Sequence, residues 1–197
     1  MEFQTERLLL RRAKATDAIP LAEIWADREV TRYMGGGARD FEEVRLLVED
    51  EVRAGAVGHS TGWWAVVEKA SGQVVGDCGL IEKDVDGHQE IELVYVFASH
   101  SWGRGYATEA ASALRDYALH QLGLRRIIAL IDPENHASVR VAEKMGLAFE
   151  RETRRPSGKV MRVHSLHAAQ AGGEVKGQGP RQRGTAKTVF VRQGPCG

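Results

Sequence analysis

Apolar residues recur along the chain in two spacings, and each spacing predicts a different kind of element. Where apolar residues lie three and four positions apart, as after Asp17, after Asp40 and over residues 109–122, the pattern predicts helices. Asn135 is placed to cap a further helix that ends near Lys144, because its side chain can accept hydrogen bonds from first-turn N–H groups. Helices are therefore expected in both halves of the chain.

Short apolar runs separated by turn residues predict the strands. They cover residues 7–11, 63–68, 74–81, 89–97, 126–131, 147–153 and 160–166. The run 126–131 is apolar without alternation, which is typical of a strand buried on both faces. The order of these strands and helices predicts one α/β domain over residues 1–167, built on a mixed sheet.

The apolar pattern is lost in the last thirty residues. Residues 168–197 contain seven glycines, and five Lys or Arg residues against one Glu. Such a segment has too few apolar positions to bury against a core. We therefore expect a flexible, Gly-rich basic tail.

Charge and composition exclude several classes of protein. Lys+Arg and Asp+Glu are both 27, so the formal net charge is zero, whereas nucleic-acid binders usually carry a basic excess. The first residues are charged, and no apolar run approaches the roughly 20 residues of a membrane span. Cys78 and Cys196 form neither a disulfide framework nor a metal-ligand spacing. We expect a cytoplasmic protein without nucleic-acid, membrane or metal partners.

The most informative stretch is residues 101–110, which read SWGRGYATEA between a predicted strand and a predicted helix. Glycines in such a loop let the backbone approach a ligand and point several N–H groups into one space. The following helix adds the positive end of its dipole, so the junction suits a pyrophosphate. A glycine-rich turn without a ligand is the alternative interpretation.

A dinucleotide-binding motif is a second interpretation of this loop, because Gly103 and Gly105 follow a strand and Asp132 ends the next one. The third glycine position of that motif is Thr108, where Gly or Ala is needed for close packing of helix on strand. Five residues, 98–102, separate the strand from the glycines, too many for the tight turn. These departures disfavour a dehydrogenase.

Three segments together resemble the GNAT N-acetyltransferase family, and within it the branch of the ribosomal-protein N-terminal acetyltransferases RimJ and RimL. The segments are the opening TERLLLRR with Asp17, the loop ending WGRGYATEA, and the asparagine-led helix at residues 135–146. They occur in the family's order and the likeness covers about residues 5–167, but not the tail. The resemblance implies a mostly antiparallel sheet flanked by helices, and acetyl-CoA as cosubstrate.

The family's acyl-CoA motif, Gln/Arg-x-x-Gly-x-Gly/Ala, falls here on Trp102, Gly105 and Ala107. Trp102 replaces the usual polar first residue, so backbone donors are expected to hold the phosphates. The resemblance implies that Asn135 contacts the pantetheine arm, a role compatible with capping its helix. The expected cofactor-binding residues are Val94, Tyr95, Val96, Trp102, Gly103, Arg104, Gly105, Tyr106, Ala107, Thr108 and Asn135.

The transfer step needs a neutral amine. At pH 7 about 10% of α-amino groups but well below 0.1% of lysine side chains are neutral, so a base helps either acceptor. Glu92 lies in the strand before the loop, where this branch often carries a glutamate proposed to accept the proton through water. Glu90 shares its strand face. Both carboxylates could instead be solvated residues at a strand edge.

The departing thiolate has an ordinary thiol pKa of about 8.5, so an acid adds modestly to the rate. The family's tyrosine acid would stand at Ala142, which cannot donate a proton. Ser138 is the substitute candidate, although a serine at a helix start often bonds to backbone instead. Backbone N–H groups near residues 94–96 are expected to bind the oxyanion. Tyr33 and Met34 are candidates for contact with the acceptor.

The sequence thus predicts an acetyl-CoA-dependent N-acetyltransferase that acts by direct attack on the thioester. The leading acceptor is a protein N-terminal α-amine. A small-molecule acceptor such as an antibiotic, amino acid or polyamine is the alternative, and a non-catalytic acyl-CoA sensor is a third hypothesis. Monomer and homodimer both remain open.

Overall fold

The computed structural model describes residues 1–56, 58 and 60–168. Within these residues eight strands form one sheet in the order β1-β2-β3-β4-β5-β6-β8-β7. Their bounds are β1 Glu2–Gln4, β2 Leu8–Arg12, β3 Gly62–Glu68, β4 Val74–Val85, β5 His88–Phe97, β6 Arg126–Ile131, β7 Ala148–Arg154 and β8 Val160–His167. The predicted tail lies, apart from Ala168, outside the described residues.

Neighbouring strands of the sheet run antiparallel except for β5 and β6, which are parallel. The predicted mixed, mostly antiparallel sheet is therefore confirmed. β6 has the bounds expected from its apolar run. Ile127 belongs to the core under α4 and α5. Ile128 packs on the other face with Val85 and Val163, so both faces of the strand are buried and the run does not alternate. β1 was not predicted, since three residues with one partly buried side chain carry no clear pattern.

The helices are α1 Ala18–Ala26, α2 Arg28–Thr31, α3 Phe41–Ala56, α4 Tyr106–Asp116 and α5 His136–Lys144. Asp40 begins α3 as expected, because its carboxylate accepts from the Glu43 N–H while Glu43 accepts from the Asp40 N–H. α4 begins three residues earlier than predicted and ends in a π-helical turn, Tyr117–Gln121. No helix of the described chain is long and apolar enough to cross a bilayer.

The two faces of the sheet are covered by different helices. On one face α4 and α5 cover a core that includes Leu93, Leu114 and Ile127. On the other face α1 and α3 pack through Trp25 and Val48 against the sheet. The helices of the first half and of the second half of the chain therefore cover opposite faces of the sheet.

The parallel pair at the centre of the sheet is short. In the described chain the register between β5 and β6 contains one pair, Glu92 opposite Ile128. β5 continues from there to Phe97 and β6 to Ile131. The carboxyl-terminal halves of these strands thus lose their pairing and leave main-chain groups of β5 without a strand partner on that side. The glycine loop follows the end of β5 and α5 follows the end of β6, so both begin beyond this opening between the unpaired strand ends.

Candidate active site

The glycine loop joins β5 to α4 directly beyond the opening. A short 3-10 turn, Ser99–Ser101, follows β5, and two glycines with positive φ end the loop, Gly103 at 74° and Gly105 at 81°. A Cβ atom at Gly103 would meet nothing within 4 Å, and one at Gly105 would meet only the Arg7 guanidinium, at 3.4 Å. Both glycines are therefore required by backbone conformation rather than by crowding.

The backbone of this loop presents a continuous run of hydrogen-bond donors. None of the N–H groups from Gly103 to Thr108 donates a hydrogen bond to another described residue, and the first inward bond is from Glu109 N to Gly105 O at 3.1 Å. Gly105 begins α4 without a side chain that could cap it. Such donors at the positive end of a helix form a site for anions such as phosphates.

Residues at the start of the chain anchor the loop from outside. The Arg7 guanidinium donates to the Arg104 carbonyl at 2.7 Å and to Glu109 Oε2 at 2.8 Å. Glu109 also accepts from the Thr5 hydroxyl and from the Arg7 N–H. Partial burial acts to raise the pKa of Glu109, but these hydrogen bonds together outweigh it and the pKa is lowered. The segment TERLLLRR was noted for its resemblance, but its role as an anchor for the loop was not predicted.

Side chains of the loop are occupied by the protein itself. The Arg104 guanidinium lies 2.8 Å from Glu68 and over the Tyr106 ring, and the Tyr106 hydroxyl donates to the same carboxylate. That hydrogen bond raises the pKa of Tyr106. Trp102 is 47% exposed, but its indole N–H donates to the Phe97 carbonyl at 2.8 Å. The main chain is thus the part of the loop left for a ligand, as the substitution at Trp102 suggested.

Asn135 and Ser138 lie at the start of α5, the helix that follows β6. Asn135 Oδ1 accepts from the Ser138 N–H at 3.1 Å, so the predicted cap is present. The Tyr95 hydroxyl donates to the Ser138 carbonyl at 3.0 Å and so joins β5 to α5. Burial raises the pKa of this phenol above its usual range, which keeps it protonated. Contact of Asn135 with pantetheine and proton donation by Ser138 stay predictions.

Glu92 lies at the point where β5 and β6 part. It is 6% exposed, so it is not a solvated residue at a strand edge. Its Oε2 accepts from Lys83 Nζ at 2.8 Å. Glu90, on the same strand face, instead accepts from Arg126 Nε at 3.0 and 3.1 Å. The two carboxylates are therefore distinct: Glu90 belongs to an ion pair at the start of β6, and Glu92 lies at the opening.

Tyr33 and Met34 follow α2 and are both partly buried. Lys159, in the turn between β7 and β8, donates to the Tyr33 carbonyl at 3.2 Å and pairs with Asp132 at 2.8 Å. Asp132 directly follows β6, so this contact places Tyr33 on the side of the sheet opening where β6 ends. Met34 packs instead against the α1 and α3 core. Their contact with an acceptor stays a prediction.

Asp77 of β4 is a buried carboxyl group that the sequence did not reveal. It is 7% exposed, and Oδ2 accepts from the Trp25 indole at 3.0 Å. Oδ1 is buried and has no hydrogen-bond partner among the described residues. Burial raises the pKa of Asp77 to about 7, against the smaller opposing effects of Trp25 and Arg39. The sequence shows Asp77 as an acid within an apolar strand, but its burial against Trp25 depends on packing between distant segments.

Comparison with known proteins identifies the class. The model of the acetyltransferase (GNAT) domain matches residues 7–148. The chain is 34% identical over 152 residues to the uncharacterized protein YkkB of Bacillus subtilis, which covers 77% of this chain and 87% of that protein. The chain belongs to the GNAT acetyltransferase family, and it is an acetyl-CoA-dependent N-acyltransferase.

Solved structures agree with this assignment. A GNAT-family acetyltransferase from Bacillus anthracis has a TM-score of 0.74 at 27% identity, over 85% of this chain and 98% of that one. The ribosomal L7/L12 α-N-protein acetyltransferase RimL, solved with coenzyme A, has a TM-score of 0.71 at 14% identity, over 85% and 98% of the chains. The latter likeness shows the fold alone, and the expected neighbourhood of RimJ and RimL is confirmed at that level.

Proposed function

We propose that this enzyme acetylates the α-amino group at the N-terminus of a protein, with the loop at residues 103–108 holding the pyrophosphate of acetyl-CoA. The run of N–H groups from Gly103 to Thr108, none of which donates to another described residue, is the observation that carries the cosubstrate site. These donors suit an anion that the backbone can approach closely. The pantetheine arm then runs into the opening between β5 and β6, beside Asn135.

The amine attacks the thioester beside Glu92. The buried carboxylate lies where the strands part, and its position beside the opening suits a base that accepts the amine proton, directly or through one water. Successive N–H groups of β5 point alternately to β4 and to the opening, and within residues 94–96 those on the side of the opening stabilise the oxyanion. Ser138 donates its hydroxyl proton to the thiolate and regains a proton from solvent. The nitrogen attacks the carbonyl carbon, the C–S bond breaks, and no covalent enzyme intermediate forms.

The residues near the proposed acceptor position favour an amine at the end of a narrow, extended group, such as a protein N-terminus. Lys159, in the β7–β8 turn, donates to the carbonyl of Tyr33 and pairs with Asp132. These three residues therefore lie together at the side of the opening where β6 ends. A protein N-terminus can extend past this contact towards Glu92, whereas a lysine on a folded protein surface has bulky neighbours that would meet it. The α-amine is also the easier nucleophile, because about 10% is neutral at pH 7.

A small-molecule amine is the second candidate, because a polyamine, an amino acid or an aminoglycoside can also pass beside the contact between Lys159 and Tyr33. Thiol release from acetyl-CoA, measured against N-terminal peptides and these three classes, separates the candidates. The proposal expects the highest kcat/KM with peptides that carry a free α-amine, and no release when that amine is blocked. Faster release with a small amine would assign the enzyme to that class instead. Binding of acetyl-CoA without release for any amine would favour the sensor.

A further inference from the structure

Glu92, the proposed base, already forms an ion pair with a primary amine of its own chain. Among the described lysines, Lys83 is the one in contact with Glu92, with Nζ 2.8 Å from Oε2. The Glu92 side chain is 8% exposed and that of Lys83 27%, so the pair lies at the border between the interior and the opening. An amine at this distance occupies the place that an acceptor amine needs to reach.

The contact follows from strand register and from a choice between two carboxylates. Lys83 lies directly opposite Glu90 in the β4–β5 ladder, and Ile81 lies opposite Glu92. Lys83 and Glu92 are thus diagonal neighbours on one sheet face, a spacing that a long side chain can bridge. Glu90 is bound by Arg126 Nε, so the ammonium of Lys83 reaches past its opposite neighbour. This arrangement brings the ε-amine towards the point where β5 and β6 separate.

We propose that Lys83 is a site of self-acetylation, in which bound acetyl-CoA transfers its acetyl group to Lys83 Nζ when no external amine is present. The inference rests on the proposed roles of the glycine loop and Glu92. A lysine in water at pH 7 is well below 0.1% neutral, so a lysine without an adjacent base reacts slowly. Lys83 has that base within hydrogen-bond distance.

The step balances without a further reactant. The Lys83 ammonium gives one proton to the Glu92 carboxylate, and the neutral nitrogen attacks the carbonyl carbon of the thioester. A C–N bond forms and the C–S bond breaks, and the proton still carried by the nitrogen leaves with the thiolate as coenzyme A thiol. Glu92 releases its proton to solvent. The product is a neutral amide at residue 83, which ends the ion pair and limits the reaction to one event per chain.

Intact-mass spectrometry of the purified full chain, incubated with acetyl-CoA alone, tests the inference. The expected result is a gain of one acetyl group, located on Lys83 by peptide mapping, with a first-order rate independent of protein concentration because the reaction is intramolecular. Lys83→Arg should abolish the gain while keeping the positive charge beside Glu92. Glu92→Gln should slow it at least about tenfold while still binding acetyl-CoA. Melting temperatures of both variants establish that they are folded.

Lys69→Arg is the matched control. Lys69 is an exposed lysine in the β3–β4 turn whose Nζ donates to the Thr5 carbonyl, away from Glu92. Its replacement should leave the acetylation of Lys83 unchanged. Acetyl groups spread over exposed lysines at equal rates in wild type and Glu92→Gln would overturn the inference. If external amines are acetylated while Lys83 stays unmodified, the inference fails and the proposed function stands. If acetyl-CoA neither binds nor donates, the proposed function itself fails.

Discussion

Replacing Gly105 by valine tests two roles of this position: its positive φ and the direction of the neighbouring N–H groups. Its φ of 81° lies in the left-handed region, which a β-branched residue avoids at about 1–3 kcal/mol. The strain can be relieved only by turning the peptide groups on either side of residue 105. That movement redirects N–H groups of the donor run from Gly103 to Thr108. Gly105→Val should therefore lose both stability and affinity for acetyl-CoA.

Gly87→Val is the control for strain alone. Gly87 lies in the turn between β4 and β5, also with φ of 81°, and a Cβ there meets nothing within 4 Å. The two variants should lose a similar free energy of unfolding, measured by urea denaturation. In isothermal titration, only Gly105→Val should bind acetyl-CoA at least about tenfold more weakly, or about 1.4 kcal/mol. Wild-type affinity in a folded Gly105→Val protein would refute the assignment of the loop.

Three further substitutions test other parts of the account. Glu92→Gln should lower turnover at pH 7 by about 10²–10⁴-fold with little change in acetyl-CoA affinity, and the loss should shrink towards pH 8 if the acceptor is an α-amine. Wild-type turnover of this variant, with chemistry rate-limiting, would remove Glu92 from the mechanism. Arg7→Ala removes the guanidinium that donates to the Arg104 carbonyl and should weaken acetyl-CoA binding several-fold. The control Arg45→Ala, on the exposed face of α3, should leave acetyl-CoA affinity unchanged, and equal affinities of the two variants in titration would contradict the role of Arg7. Asp77→Asn should flatten the pH dependence of stability: the pKa of Asp77 is raised to about 7, so its contribution is full below the unfolded value of about 4 and is lost as pH rises through 7. Melting curves from pH 5 to pH 8 should show wild type losing stability relative to this variant, and parallel curves would contradict the raised pKa of Asp77.

The sequence predicted those parts of the fold that local pattern controls. The apolar run of β6 and the asparagine cap of α5 have the bounds expected from them. The start of α4 was placed three residues late, because Tyr106, Ala107 and Thr108 follow two glycines and look like loop. Gly105 takes a left-handed conformation and the helix begins immediately after it. The error matters for the site, since those three residues carry first-turn N–H groups.

Contacts between distant segments could not be predicted. Arg7 and Glu109 are about a hundred residues apart and show no shared pattern, yet their pairing anchors the loop. The pairing of Lys83 with Glu92 depends on strand register, which a hairpin pattern defines only once both strands and their turn are known. Asp77 appears as an isolated acid in an apolar strand, and only packing against Trp25 explains its environment. The sequence therefore located the motifs, whereas the support around them required the three-dimensional fold.

The central claim, transfer of an acetyl group to an α-amine at this site, is tested most directly by mass spectrometry of one peptide pair. One peptide carries a free N-terminal amine and no lysine, and the other has a blocked N-terminus and one lysine. With acetyl-CoA and enzyme at pH 7.5, the account predicts one acetyl group on the nitrogen of the first peptide and none on the second. Acetylation of the second peptide alone, or of neither while a small amine is acetylated, would contradict the claim.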